Sequence, residues 1–242
     1  MPFLTADGLS LVDIAMLAII MIGLPLETLL TVKHTRAKLA SGAPGVRVSH
    51  YTSTIMYLWA VALPIVVLWA ASGRDWAALG FHFEAGAMVS TGWLLAGVIT
   101  LFFGYQYLAI TVSEKGRQQL REGIARNPVM DGFMPQTSDE RHLFNLLGIT
   151  AGITEEIIFR AYLIWALATV MPIWAAALIS LAIFTFLHIY QGAKNLPAVF
   201  VIGGLVTLIY LWSGSIWPAI AVHVIVDILN NLTVFKARQV PA

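Results

Sequence analysis

Residues 152–160 read Gly-Ile-Thr-Glu-Glu-Ile-Ile-Phe-Arg, so two adjacent carboxylates and an arginine stand inside an otherwise apolar run. A charged side chain at bilayer depth is costly, and it usually faces the protein interior, pairs with another group and marks a function. Glu156 and Arg160 are four residues apart on one helical face, where we expect an ion pair. Glu155 projects about 100° away from Glu156 around the helix, which leaves Glu155 free to react.

The composition of the chain is that of a membrane protein. Of its 242 residues 59% are hydrophobic and 11% charged, and the mean hydropathy is +0.81. These values are too apolar for a soluble globular chain of this length. The net charge is only +1 and the basic residues form no continuous stripe, so no nucleic-acid partner is expected. The chain has no cysteine, which excludes disulfides, thiolate metal ligands and a cysteine nucleophile.

Apolar stretches divide the chain into transmembrane helices, because a hydrocarbon core of about 30 Å asks for about 20 apolar residues per helix. The sequence predicts an all-α, polytopic transmembrane bundle of about seven to eight helices, with residues 1–242 as one integral membrane domain. Residues 113–126 are polar with scattered apolar residues, which fits an interfacial helix or a solvated loop. Seven stretches reach or approach the required length: residues 9–32, 54–71, 87–112, 142–170, 172–190, 197–212 and 216–235.

The Lys and Arg residues predict the orientation. Twelve fall on one side of the predicted helices and Arg74 alone on the other, while Arg160 lies inside a helix. Because cytoplasmic loops carry the excess of Lys and Arg, we expect the N-terminus outside and the C-terminus in the cytoplasm. Asp13 and Glu27 count out near the ends of the first predicted helix, so we expect both at the membrane interface. The twelve basic residues are Lys33, Arg36, Lys38, Arg47, Lys115, Arg117, Arg121, Arg126, Arg141, Lys194, Lys236 and Arg238.

Two further predicted helices carry titratable groups at bilayer depth. The fifth contains His188, and the seventh contains His223 and Asp227 on one helical face, where they can hydrogen-bond or bind one ligand together. Counted along the helices, Glu155 and His223 reach a similar depth, whereas His188 lies nearer the cytoplasmic end. Each of these groups costs free energy in lipid, so packing alone explains the set poorly and one polar, water-filled site is expected.

Three motifs follow one another on separate hydrophobic segments: EExxxR at Glu155, Glu156 and Arg160, FxxxH at Phe184 and His188, and HxxxD at His223 and Asp227. In type and order they resemble the motifs of the CPBP family, the CAAX prenyl endopeptidases and bacteriocin-processing proteins. The resemblance covers residues 142–235, which it marks as catalytic helices. It implies an all-helical intramembrane endopeptidase of the glutamic type, without a required cofactor, that acts on a peptide or prenylated protein. In such an enzyme Glu155 and His188 would activate a water molecule, and His223 with Asp227 would position water and substrate or stabilise the oxyanion.

Asp227 departs from the pattern of the prenyl endopeptidases, which carry Asn at this position. An ionised Asp cannot donate a hydrogen bond to an oxyanion. Three roles for Asp227 therefore stay open: it orients His223, it ligates a metal, or it is protonated.

Other functions fit the same residues. Within the enzymes, a metalloprotease would hold Zn²⁺ with His188, His223, Glu155 and Asp227 and keep a position open for water, although the chain has no HExxH motif. Outside the enzymes, the residues could form the midplane polar site of a small transporter or belong to a non-catalytic immunity protein. The missing inverted repeats count against a transporter. The sequence carries no signal for the substrate or the oligomeric state.

Overall fold

The structure, a computed structural model, describes residues 8–82 and 86–239, and this part of the chain forms nine helices and no strand. The predicted all-α, polytopic bundle is confirmed. Short turns join most of the helices, and many apolar side chains on their outer faces are exposed. The helices are α1 (Leu11–Ala40), α2 (Val46–Ser72), α3 (Ala87–Val112), α4 (Glu114–Ala125), α5 (Pro128–Phe133), α6 (residues 138–168), α7 (Ile173–Leu187), α8 (Leu196–Ser213) and α9 (Ile216–Arg238).

Six of these helices are long and apolar enough to cross a membrane, namely α1, α2, α3, α7, α8 and α9. The remaining predicted span, residues 142–170, corresponds to α6. The first turn of α6 is charged, and its interior holds Glu155, Glu156 and Arg160. The chain is therefore an integral, multi-pass membrane protein. The stretch 113–126 is mainly helical, since it contains α4.

Helix α1 is longer than predicted because it continues from the apolar run through the polar residues up to Ala40. The predicted position of Glu27 near a helix end is therefore wrong, since Glu27 lies well inside α1. A π-helical turn, Ile19–Gly23, interrupts the α-helical hydrogen bonding of α1 and is followed by Pro25. Both features are common causes of bends in helices.

Asp13 anchors the first turns of α1 to the rest of the bundle. Asp13 lies near the helix end as predicted, its side chain is fully buried in the protein, and its two carboxylate oxygens accept hydrogen bonds from Arg74 at 2.9 and 2.5 Å. The Tyr162 hydroxyl of α6 donates to the same carboxylate at 2.9 Å. The guanidinium of Arg74 packs on the rings of Trp69 and Trp165, with its central carbon 5.1 and 4.9 Å from the two ring centroids. Asp13 can be buried because its carboxylate is paired with the Arg74 guanidinium and hydrogen-bonded to Tyr162.

The other end of the bundle is covered by α4 and α5. There α1, α3, α7 and α9 end and α2, α6 and α8 begin, and we call this end the basic end because most of the twelve Lys and Arg residues lie in these segments. Arg238 of α9 pairs with Asp131 of α5 at 2.6 Å. The end of α1 touches α5 so closely that a Cβ atom on Gly132 would collide with the backbone of Leu39. Helix α1 is thus fixed at both of its ends.

Glycine residues of α6 allow this helix to approach α9 closely. A Cβ atom on Gly152 would lie 2.5 Å from Cγ2 and 2.9 Å from the backbone nitrogen of Val224, and one on Gly148 would lie 3.1 Å from Cβ of Asp227. Small residues commonly permit such contacts between membrane helices. The contact brings the carboxylates of α6 next to the imidazole of α9.

Candidate active site

The residues of the EExxxR motif lie where α6 changes its helical form. From Glu156 to Leu163 the helix is a π-helix, and every residue of this segment is buried. Such segments are rare and occur frequently at functional sites. Ser180 of α7 donates a hydrogen bond of 2.7 Å to the carbonyl oxygen of Phe159, which satisfies a backbone group in this widened turn.

The predicted ion pair between Glu156 and Arg160 is present and buried. Glu156 Oε1 and Arg160 Nη1 are 3.0 Å apart, and the two side chains are 0% and 1% exposed. Arg160 also donates to the carbonyl oxygen of Gly203 at 3.0 Å and to the hydroxyl of Thr207 at 3.2 Å. Its guanidinium lies over the ring of Phe184, 4.2 Å from the centroid. These partners replace the solvation that a buried guanidinium loses.

His223 joins the two glutamates through its two ring nitrogens. Nδ1 lies 2.7 Å from Oε1 of Glu156, and because a carboxylate only accepts, Nδ1 carries the proton of this hydrogen bond. Nε2 faces Oε2 of Glu155 at 3.8 Å and Oδ2 of Asp227 at 3.9 Å. Both distances exceed hydrogen-bond length. In this structure Glu156, and not Asp227, orients His223.

His188 lies directly after α7, at the basic end, as its position in the sequence predicts. Its Nδ1 is 2.8 Å from the carbonyl oxygen of Phe184. A carbonyl can only accept, so Nδ1 is protonated and Nε2 keeps its lone pair when the ring is neutral. The ring packs on Phe184 with 4.6 Å between centroids. No hydrogen bond joins His188 to Glu155 within residues 8–82 and 86–239, but both line one cavity.

A cavity of about 990 Å³ connects these side chains and extends to the basic end, where Asn127 and Asn195 line it. Glu156 is fully buried and is not among the residues that line the cavity. Five of the six predicted site residues line the cavity: Glu155, Arg160, His188, His223 and Asp227. The facing wall comes from α1, α2 and α3 and carries the polar residues Glu27, Thr31, His50, Tyr57 and Gln106.

The residues considered as zinc ligands are not arranged as a metal site. In the described part of the chain no group of three or more His, Asp and Glu side chains is placed to hold an ion. Glu155 and Asp227 face one nitrogen of His223 from 3.8 and 3.9 Å, and neither is hydrogen-bonded to His188. In this arrangement the described residues therefore do not form a metal site, since zinc needs its ligand atoms at about 2.0–2.2 Å around one point.

The residues that support Arg160 were not predicted from the sequence. Gly203 and Thr207 of α8 are four residues apart, and this spacing of small residues in an apolar helix is a signal for a close helix contact. Tyr190, which lines the cavity two residues after His188, was not predicted either. Nothing in the local sequence distinguishes Tyr190 from an interfacial tyrosine.

The fold and the site define a class, a membrane-embedded helical protein with a cluster of carboxylate and imidazole groups in a cavity. Residues 139–229 match a family model described as "Rce1-like: Type II CAAX prenyl endopeptidase Rce1-like". The match runs from α6 into α9, includes all six predicted site residues and confirms the resemblance over this segment. Over this segment the chain is similar to the type II CAAX prenyl endopeptidases, a likeness that points to an intramembrane protease. No curated protein and no solved structure matches the chain.

Proposed function

We propose that this protein is a glutamic endopeptidase that hydrolyses a peptide bond of a prenylated or membrane-associated peptide. The observation that carries the proposal is the placement of Glu155 beside His223 in a cavity of about 990 Å³. Hydrolysis inside a membrane needs water, and a cavity that carries these polar side chains and reaches the basic end offers a route for it. The family match over these residues supports the same reaction type.

Glu155 is proposed as the general base. Its side chain is 13% exposed, lines the cavity and makes no hydrogen bond within the described residues. A water molecule held between Glu155 and Nε2 of His188 gives its proton to Glu155 while its oxygen bonds to the carbonyl carbon of the substrate. The carbonyl electron pair moves to the oxygen. When that pair returns and the C–N bond breaks, the proton passes to the leaving amine.

His223 is proposed to position the water and the substrate, and its own position depends on Glu156. The hydrogen bond from Nδ1 to Glu156 fixes the ring and its tautomer, and Arg160 holds Glu156 in turn. A second proton on Nε2 would let His223 donate to an oxyanion in the cavity. Asp227 supplies a negative charge near Nε2 and favours that protonated form.

We propose that the reaction needs no metal ion and that the basic end faces the cytoplasm. The first part is supported by the finding that no group of three or more His, Asp and Glu side chains among the described residues is placed to hold an ion. The twelve Lys and Arg residues support the second. The cavity would then receive peptides from the cytoplasmic side.

The test uses the full chain in lipid nanodiscs and a farnesylated peptide with a fluorophore and a quencher on either side of the prenylated cysteine. Glu155→Gln is expected to lower the cleavage rate by about 10²- to 10⁴-fold, because the amide keeps the shape and removes the base. Glu122→Gln in α4, whose side chain is 52% exposed, is the matched control and should cleave normally. Near-normal cleavage by Glu155→Gln would overturn the assignment.

A second experiment identifies natural substrates and separates the enzyme from a non-catalytic immunity or transport protein. Membranes of cells producing the wild type and Glu155→Gln are compared for newly formed peptide termini. Termini that require Glu155 support the protease. A biological effect that survives in both Glu155→Gln and His188→Ala would favour the non-catalytic alternative.

A further inference from the structure

The proposed site is short of hydrogen-bond donors for the oxyanion. Arg160 uses three of its five N–H groups on Glu156, Gly203 and Thr207. His188 uses its Nδ1 proton on a backbone carbonyl, and ionised Asp227 only accepts. The donors left for an oxyanion in the cavity are therefore charged ones, namely a doubly protonated His223 and the two remaining N–H groups of Arg160, and these residues supply no neutral donor.

Tyr190 lies in a position to provide this donor. It belongs to the 3₁₀ turn His188–Gln191, which follows α7, and it lines the same cavity as Glu155. Its ring is held from three sides, with centroid distances of 5.8 Å to Phe133, 6.2 Å to His188 and 6.3 Å to His50. Such aromatic packing fixes the direction of the C–O bond.

The hydrogen bonds around Tyr190 leave its proton available. The Gln191 side-chain amide donates to the phenolic oxygen at 3.2 Å, which uses a lone pair and not the O–H group. The side chains of Asn127 and Asn195 both donate to the backbone carbonyl of Gln191, at 3.2 and 2.9 Å, and hold the turn in place. The phenolic oxygen lies within electrostatic range of the Glu155 and Asp227 carboxylates.

We propose that Tyr190 is a catalytic residue that donates its O–H group to the carbonyl oxygen of the scissile bond. The inference rests on the proposed protease function. As water adds to the carbonyl carbon, the negative charge on this oxygen grows, and a preorganised donor stabilises it more strongly than the neutral carbonyl. The Tyr190 hydroxyl would thus supply the hydrogen bond that an asparagine at position 227 could donate and that ionised Asp227 cannot.

The first test is Tyr190→Phe in nanodiscs with the same farnesylated peptide. The substitution keeps the ring packing, so the melting temperature and KM should stay near those of the wild type while kcat falls by about 10²- to 10³-fold. Tyr105→Phe, which removes a hydroxyl from a 70% exposed tyrosine of α3, is the matched control and should leave kcat unchanged. A kcat within twofold of the wild type for Tyr190→Phe would overturn the proposal.

The second test asks whether the hydroxyl acts as a donor and not through packing. In Asp227→Asn the new amide can itself donate a hydrogen bond to the oxyanion. The factor by which Tyr190→Phe lowers kcat should therefore be at least about tenfold smaller in the Asp227→Asn background than in the wild type. Equal losses in the two backgrounds would contradict the assignment. The wild type and Glu155→Gln are measured alongside. If the wild type does not cleave the peptide, the proposed protease function fails. If the wild type and Tyr190→Phe cleave equally and Glu155→Gln is inactive, only the assignment of Tyr190 fails.

Discussion

Replacing Glu156 by glutamine removes the charge that faces Arg160 and keeps the shape of the side chain. Oε1 of Glu156 accepts from Arg160 at 3.0 Å and from His223 at 2.7 Å. A hydrogen bond involving a charged group contributes about 1.5–3 kcal/mol, and breaking a buried ion pair costs about 3–5 kcal/mol. Arg160 keeps Gly203 and Thr207, and glutamine keeps one acceptor oxygen. We therefore expect Glu156→Gln to lower the free energy of unfolding by about 3 kcal/mol.

This loss corresponds to a melting temperature lowered by about 6–12 °C for a chain of this size. Thermal unfolding in nanodiscs, followed by the fluorescence of the eight tryptophans, measures it. Glu155→Gln is the matched control, because it makes the same chemical change at a side chain without a hydrogen bond in the described part, and its stability should change by less than about 1 kcal/mol. Cleavage should fall in both variants. Equal melting temperatures for the two would refute the account of the buried pair.

Three more predictions concern metal dependence, orientation and helix packing. Asp227→Asn should retain substantial cleavage, with and without chelator, because the amide loses the charge near His223 but can itself donate a hydrogen bond to the oxyanion. Zinc bound one to one in the wild type and lost together with activity would contradict this. A reporter fused after Arg238 should behave as cytoplasmic, and an external signal would reverse the proposed orientation. Gly152→Ala should lower the free energy of unfolding by about 1–3 kcal/mol through its clash with Val224, which a lower melting temperature would report. The control is Gly97→Ala, whose new Cβ meets no atom within 4 Å and should not lower the stability. Equal stabilities of the two variants would argue against close packing of α6 on α9.

The sequence predicts the helices well because lipid imposes one strong constraint on composition. Apolar length identified each of the seven long helices, and the spacing of Glu156 and Arg160 predicted their ion pair. The ends of α1 and α2 were placed less well, since both helices run into polar residues at the basic end. Hydropathy responds to the bilayer and not to hydrogen bonding along the helix.

The contacts within the site could not be predicted, because they depend on how far each helix is rotated and shifted. The sequence places His223 and Asp227 on one helical face and predicts that they can bond, yet the π-helical turn and the glycine contact between α6 and α9 bring Glu156 to the imidazole first. Asp13 is a similar case. Its distance from the helix end suggests the interface, while its burial depends on Arg74, which is distant in the sequence.

The two anchors of α1 determine which motions of this helix are available. Asp13 holds one end to Arg74 and Tyr162, and Leu39 holds the other against Gly132. Between them α1 forms part of the cavity wall, so it cannot rotate outward as a rigid body without breaking a buried ion pair. It can bow, since the π-helical turn and Pro25 weaken its hydrogen bonding near the middle. Peptides of different bulk would therefore be accommodated by elastic bending of one wall, at a cost that rises with substrate size.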